Sequence, residues 1–167
     1  MAPYSNVEKS PSSNPKRTAP PRSRLPSHIL LIEDDEVFAQ AFTLALEQEG
    51  VSDVLVAADE FEAGNMMSQH PFGLVITDWR LPLATGFSAL RKAEHSLSID
   101  PEAPAEWFSS KKIPVIVVTA CSKEEVEREK RLKGVFQFLG VVSKEQNMEG
   151  ILDKIHDLYA KKPLTTA

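Results

Sequence analysis

His28-Ile29-Leu30-Leu31-Ile32, followed at once by Glu33-Asp34-Asp35, is the stretch from which the rest of the chain can be read. An apolar run this short, ending abruptly in charge, suits a strand covered on both faces whose last residues open onto solvent. The pattern returns at Val54-Leu55-Val56-Ala57, Leu74-Val75-Ile76-Thr77, Val115-Ile116-Val117-Val118 and Phe138-Leu139-Gly140-Val141-Val142. Longer stretches with helical spacing separate these runs. Strands alternating with helices predict an α/β fold, a doubly wound five-stranded parallel sheet with five helices on its two faces.

In the first helix Val37, Ala41, Leu44 and Ala45 recur at helical spacing as the buried stripe, and Gly50 supplies the stop. A second helix spans 59–69, closed by Pro71, and a third spans 86–95. The fourth opens on Ser122-Lys123-Glu124-Glu125, a capping box in which Ser122 accepts from a first-turn amide and Glu125 reaches back to the Ser122 amide. The fifth covers about 146–160, with Met148, Ile151, Leu152, Ile155, Leu158 and Tyr159 as a core stripe. The stretch from Glu94 to Lys112 is long for a helix-to-strand connection and reads as an insertion. Its Trp107 and Phe108 either pack it onto the sheet edge or face a partner.

With 167 residues, 42% apolar and 26% charged, the chain holds one domain with a real core. No apolar stretch approaches the roughly 20 residues of a membrane span. Cys121 is the only cysteine, and His28, His70, His95 and His156 are scattered. That excludes an intramolecular disulfide and a thiolate zinc cage, and it points to a reducing, cytoplasmic compartment. The formal charge of −5 divides unevenly. Residues 1–27 hold Lys9, Lys16, Arg17, Arg22 and Arg24 against Glu8 alone, together with six of the twelve prolines. Such a segment buries too little to offset the entropy of ordering, so 1–27 is expected to be a disordered basic tail. The folded domain is expected over 28–161 and a short tail over 162–167, with no DNA-binding module attached and no direct DNA contact.

In open parallel sheets, ligands bind beyond the carboxyl ends of the strands. Here those ends carry Glu33, Asp34 and Asp35 on the first strand, Asp78 on the third, Thr119 on the fourth and Ser143-Lys144 on the fifth. Carboxylates gathered on one edge repel one another unless a cation neutralises them, and an all-oxygen set suits a hard ion such as Mg²⁺. With Mg²⁺ on one phosphoryl oxygen and Lys144 on another, Asp78 can attack phosphorus and become an acyl phosphate while Thr119 donates a hydrogen bond. Plainer readings exist singly: the acids as a helix cap, Lys144 as a solvated charge, Thr119 as a strand terminus. Joint occurrence at successive strand ends favours a shared site.

Four stretches together resemble response-regulator receiver domains over residues 28–161. Ile29-Leu30-Leu31-Ile32-Glu33-Asp34-Asp35 is similar to the family's acidic-pocket motif. The run Leu74-Val75-Ile76-Thr77-Asp78-Trp79-Arg80-Leu81-Pro82-Leu83-Ala84-Thr85-Gly86 is similar to its phosphoacceptor motif, with proline four and glycine eight positions after the aspartate. Val115-Ile116-Val117-Val118-Thr119-Ala120 resembles the switch strand, and Ser143-Lys144 the lysine motif. The resemblance implies a flavodoxin-like strand order 2-1-3-4-5, with Asp78 as phosphoacceptor. It implies a Mg²⁺ set of Glu33, Asp34, Asp78 and the Arg80 backbone carbonyl, Asp34 being the nearer of the acidic pair. Thr119 becomes the switch hydroxyl and Lys144 the phosphoryl-binding cation. The protein so implied is a stand-alone, chemotaxis-type response regulator of a two-component or phosphorelay system, a switch rather than an enzyme. Its donor would be the phosphohistidine of a histidine kinase or phosphotransfer protein, and its downstream partner would read the face of the fourth helix, fifth strand and fifth helix.

The sequence also departs from the family. Glu145 follows the lysine where proline is usual, and Val141 stands where an aromatic is usual; Phe138 could replace it only in a different register, since 134–144 holds a few extra residues. Arg80 and Cys121 align with positions that tune acyl-phosphate lifetime, and a bulky cation at Arg80 is expected to alter water attack. Cys121 reads as a small spacer rather than a redox thiol. Two other functions stay open. A phosphatase or phosphotransferase using Asp78 as nucleophile needs a second acid two residues on, where Arg80 stands. A phosphorylation-independent receiver-like binding module is favoured by the missing proline and aromatic and opposed by Glu33, Asp34, Asp78 and Thr119.

Overall fold

The computed structural model describes residues 24–99, 112–129, 132 and 134–161. Its strands are β1 (His28–Ile32), β2 (Asp53–Ala57), β3 (Leu74–Thr77), β4 (Ile113–Thr119) and β5 (Phe136–Ser143), joined by α1 (Glu36–Gln48), α2 (Glu60–Gln69), α3 (Gly86–Ile99), α4 (Lys123–Arg128) and α5 (Met148–Ala160). All pair in parallel in the order β2-β1-β3-β4-β5. Because β1 lies between β2 and β3, the chain leaves it in one direction and returns on the other, which opens a crevice over the ends of β1 and β3. Ile32 pairs with Thr77, and the Asp78 amide donates to the Ile32 carbonyl at 2.9 Å. Glu33 and Asp78 therefore start neighbouring loops side by side.

Strand alternation sorts the core into two layers. Ile29, Leu31, Ile76, Ile116 and Val118 face α1 and α5, meeting Phe42, Leu46 and Ile155. Leu30, Ile32, Val75, Val115 and Val117 face α2, α3 and α4, meeting Met67, Phe87, Leu90 and Val126. Each such fully buried side chain contributes about 1.5–3 kcal/mol from apolar burial. Buried His156 joins α5 to the end of α1 through Glu49, at 3.4 Å. Among the described residues no helix is long and apolar enough to cross a membrane.

Four sequence expectations are corrected. The buried stripe of α1 is Ala39, Phe42 and Leu46, while Val37 and Leu44 are 79% and 56% exposed; both stripes have helical spacing, and the bulkier Phe42 fills the layer. Helix α3 runs on to Ile99, four residues past its expected end at His95 and into the expected insertion, whose Trp107 and Phe108 lie outside the described residues. Ser122 caps the Glu125 amide at 3.2 Å, but the Glu125 carboxylate is turned to Arg80 rather than back to the Ser122 amide. Leu25, assigned to the tail, is buried among the α1 and α5 side chains, and the Ser27 carbonyl accepts from the Asp53 amide at 2.9 Å. The rest of that tail, 1–23, lies outside the described residues, as does 162–167.

The extra residues of β5 resolve into a bulge. Val115 pairs with Phe138 but Ile116 pairs with Gly140, so Leu139 is the inserted residue. One inserted residue reverses the alternation beyond it. Phe136, Phe138 and Val141 therefore share one face, and Leu139 and Val142 the other. The backbone at Gly140 passes so close to α5 that a Cβ would stand 2.9 Å from Leu158. Phe138 packs edge-on against Phe87, ring centroids 5.1 Å apart. It lies opposite Val115, four residues before Thr119, too far along the strand to replace an aromatic at Val141.

Candidate functional site

Three acids and one base converge above β1, β3 and β5. Glu33, Asp34 and Asp78 offer carboxylate oxygens that all lie within 4.8 Å of one another. The Lys144 Nζ sits 2.6 Å from Glu33 Oε2 and 2.6 Å from Asp78 Oδ2. Glu33 is almost wholly buried, Asp78 and Lys144 nearly so, and Asp34 is exposed. Asp35, the third acid of the triplet, stands apart as the α1 cap: its Oδ1 accepts from the Val37 and Phe38 amides, both at 3.0 Å.

Backbone geometry fixes the Asp78 carboxylate. Its Oδ1 accepts from the Trp79 amide and, at 3.4 Å, from the Arg80 amide. The loop beyond folds back on itself: Gly86 N donates to the Trp79 carbonyl at 2.9 Å and Leu81 N to the Ala84 carbonyl at 3.0 Å. Those bonds flank an Arg80–Thr85 bridge without using the Arg80 carbonyl. Gly86 is required here by contact, since a Cβ would lie 2.4 Å from the Asp78 carbonyl oxygen and 2.8 Å from Thr77 Oγ1. This gives a structural reason for the glycine eight positions after the aspartate.

The remaining predicted residues are arranged around this centre. Thr119 ends β4, buried, and its hydroxyl accepts from the Cys121 amide at 3.2 Å. The Lys144 amide donates to the Thr119 carbonyl at 2.9 Å, tying the two loops by backbone. The Arg80 side chain is 74% exposed and engages Glu125 at 3.3 Å.

Burial pushes the Glu33 carboxyl above its ordinary value; the Lys144 hydrogen bond and charge pull it back only in part, and the Asp78 charge raises it further. Burial pulls the Lys144 ammonium down, but hydrogen bonds and charge from Asp78 and Glu33 outweigh it and hold the group above its ordinary value. Lys144 is thus a firmly charged cation. Three carboxylates against one ammonium leave a formal −2. An all-oxygen, net-negative set of this kind fits a hard divalent metal ion.

Residues 29–156 match the response regulator receiver domain family. The chain belongs to that family. Receiver domains are signalling modules of two-component systems. Over 140 residues this receiver is 29% identical to a probable transcriptional regulator, ycf29, of Pyropia yezoensis, an alignment covering 83% of this chain and 56% of that protein. The chain therefore spans about half the length of that curated relative. Its fold is similar to the receiver domain of the Francisella response regulator 1452, at TM-score 0.58 and 23% identity over 81% of this chain and 98% of that one. It is also similar to the receiver domain of the sensor histidine kinase PA1611 from Pseudomonas aeruginosa, solved with a magnesium ion in its active-site cleft, at TM-score 0.54 and 23% identity over 78% and 93% of the two chains.

Sequence reading missed one member of the site. The Phe38 ring, from the first turn of α1, lies under the Lys144 ammonium with 4.4 Å between Nζ and the ring centroid. The available signal was an aromatic one turn past the acidic triplet, but nothing local links it to a residue 106 positions later.

Proposed function

We propose that this receiver takes a phosphoryl group from a phosphohistidine onto Asp78 in a Mg²⁺-dependent reaction and signals through protein contacts. The observation that carries the reading is the Lys144 ammonium bridging Glu33 and Asp78 at 2.6 Å, beside the exposed Asp34. An Asp78 carboxylate oxygen attacks phosphorus, the P–N bond to the donor imidazole breaks with its electron pair going to nitrogen, and an acyl phosphate results. Lys144 moves from Asp78 Oδ2 to a phosphoryl oxygen, and Thr119 donates its hydroxyl hydrogen to another. Glu33, Asp34, Asp78 and the Arg80 carbonyl would hold Mg²⁺, which when bound offsets negative charge on the transferring phosphoryl oxygens. The donor is a histidine kinase or a phosphotransfer protein, in the cytoplasm.

The Lys144 amide to Thr119 carbonyl bond ties the loops that lead into α4 and α5. Rearrangement at the phosphoryl group therefore biases the face of α4, β5 and α5, where a downstream protein reads the state. The small Val141, opposite Val117 rather than an aromatic beside Thr119, favours a second reading in which partner binding is independent of phosphorylation.

The test is intact mass after incubation with acetyl phosphate, with and without Mg²⁺, on wild type and Asp78→Asn. A Mg²⁺-dependent gain of one phosphoryl group, absent from the variant, is expected. A folded wild type that gains nothing overturns the reading in favour of the phosphorylation-independent module.

A further inference from the structure

We propose that Phe38 is a positioning residue for phosphoryl transfer, its ring holding the Lys144 ammonium in place while the charge on Asp78 changes. This rests on the transfer chemistry above and assigns a further residue to the same site.

The ring is itself firmly placed. The Phe38 amide is bonded by the Asp35 cap at 3.0 Å, and the ring leans on fully buried Phe42 with centroids 5.5 Å apart. Lysine is a flexible four-carbon stem that needs external contacts to hold one geometry. The residues after Lys144, namely Glu145, Gln146 and Asn147, are exposed. Two of its contacts are carboxylates, and one of them, Asp78, is the group consumed in the reaction. The third is a ring face 4.4 Å away, which attracts a cation through its quadrupole and keeps that attraction whatever happens at Asp78. The ammonium can then pivot between Asp78 Oδ2 and a phosphoryl oxygen without leaving the ring. The ring also shuts water off from one side of a side chain that is only 16% exposed, so its charge acts at short range.

The test has two readouts on the full chain. In metal-free, unphosphorylated protein with ¹³Cε-labelled lysine, the Lys144 ε-protons, assigned by their loss in Lys144→Met, are expected upfield of the other lysines from the ring current. That shift is lost in Phe38→Leu and Phe38→Met and retained in Phe38→Tyr. The rate of acetyl-phosphate labelling is expected to fall about 3–10-fold in the Leu and Met variants and to return toward wild type in Phe38→Tyr, a size in keeping with a partly desolvated cation–π contact. Two aliphatic variants of different shape guard against one that folds poorly, with circular dichroism as the check. An unshifted Lys144 in wild type overturns the contact. A shifted Lys144 with wild-type labelling in folded Phe38→Leu overturns the positioning role. Absence of labelling in wild type overturns the transfer reading together with that role, and the ring-current shift still decides the contact alone.

Discussion

Helices α1 and α4 both start at the sheet edge that carries Asp78, and both are capped by a side chain, yet they are held by opposite means. Helix α1 has 13 residues, a cap that binds two amides, and Ala39, Phe42 and Leu46 buried beneath it. Helix α4 has 6 residues, a cap on one amide, and Val126 as its single buried residue. Among the described residues its further ties include polar ones near the surface: Arg80 to Glu125 at 3.3 Å, Arg91 to Glu129 at 2.8 Å, Thr85 to Glu129 at 3.5 Å. Exposed pairs of this kind contribute about 0–1 kcal/mol each, whereas a buried aromatic contributes several. The half of the site that supplies Glu33, Asp34 and Phe38 is therefore built on a helix that is costly to move. The half that borders Thr119 is built on one that a small free-energy change can re-seat.

The largest effect that could break this contrast is in α1. Phe42→Ala is expected to lower global stability by about 3–5 kcal/mol, read from urea unfolding, because it empties a fully buried site; a loss below about 1 kcal/mol would remove the distinction. Val126→Ala is expected to cost about 1–3 kcal/mol, felt first as faster hydrogen exchange of the α4 amides while α1 stays protected. If α1 and α4 amides speed up together, the two helices belong to one cooperative unit.

A smaller and differently placed effect concerns the rigid half of the site. As a Mg²⁺ ligand under the proposed function Glu33 would have to be ionised, and its carboxyl takes up a proton above its ordinary value of 4.5. On acidification from neutral pH, Mg²⁺ affinity by calorimetry should begin to fall before that value is reached, approaching about tenfold per pH unit for one competing proton. An affinity flat down to pH 4.5 would mean Glu33 is not a ligand. The smallest effect is Glu129→Gln, which loosens both Arg91 and Thr85. Global stability should change by less than about 1 kcal/mol, with exchange of the α4 amides quickened; an effect as large as that of Val126→Ala would show that α4 is held by charge after all.

What could be read from the sequence follows the same division. Strands β1 and β3 were placed to the residue because each is an unbroken apolar run ending in an acid, and Asp78 and Glu33 came with them. Lys144 was placed by its position after β5, and the structure sets it between the two carboxylates. The α1 stripe was misread because two sets of residues, one through Val37 and Leu44 and one through Phe42 and Leu46, have helical spacing, and only the shape of the underlying layer chooses between them. The end of α3 was misplaced because no glycine or proline stops the helix near His95. The Glu125 side chain and the Phe38 ring were beyond reach for another reason: each is claimed by a charge from a distant loop, Arg80 or Lys144, that no local pattern reveals.

The inserted Leu139 divides β5 into two halves that keep separate phase. The front half, with Phe136 and Phe138, takes its parity from the Phe87 side of the core, and the rear half takes its parity from Lys144 and the Thr119 loop. Removal of Leu139 itself would leave Phe138 opposite Val115 and Gly140 opposite Ile116, so the strand can lose its extra residue while both phenylalanines keep their face and the lysine keeps its station beside Asp78.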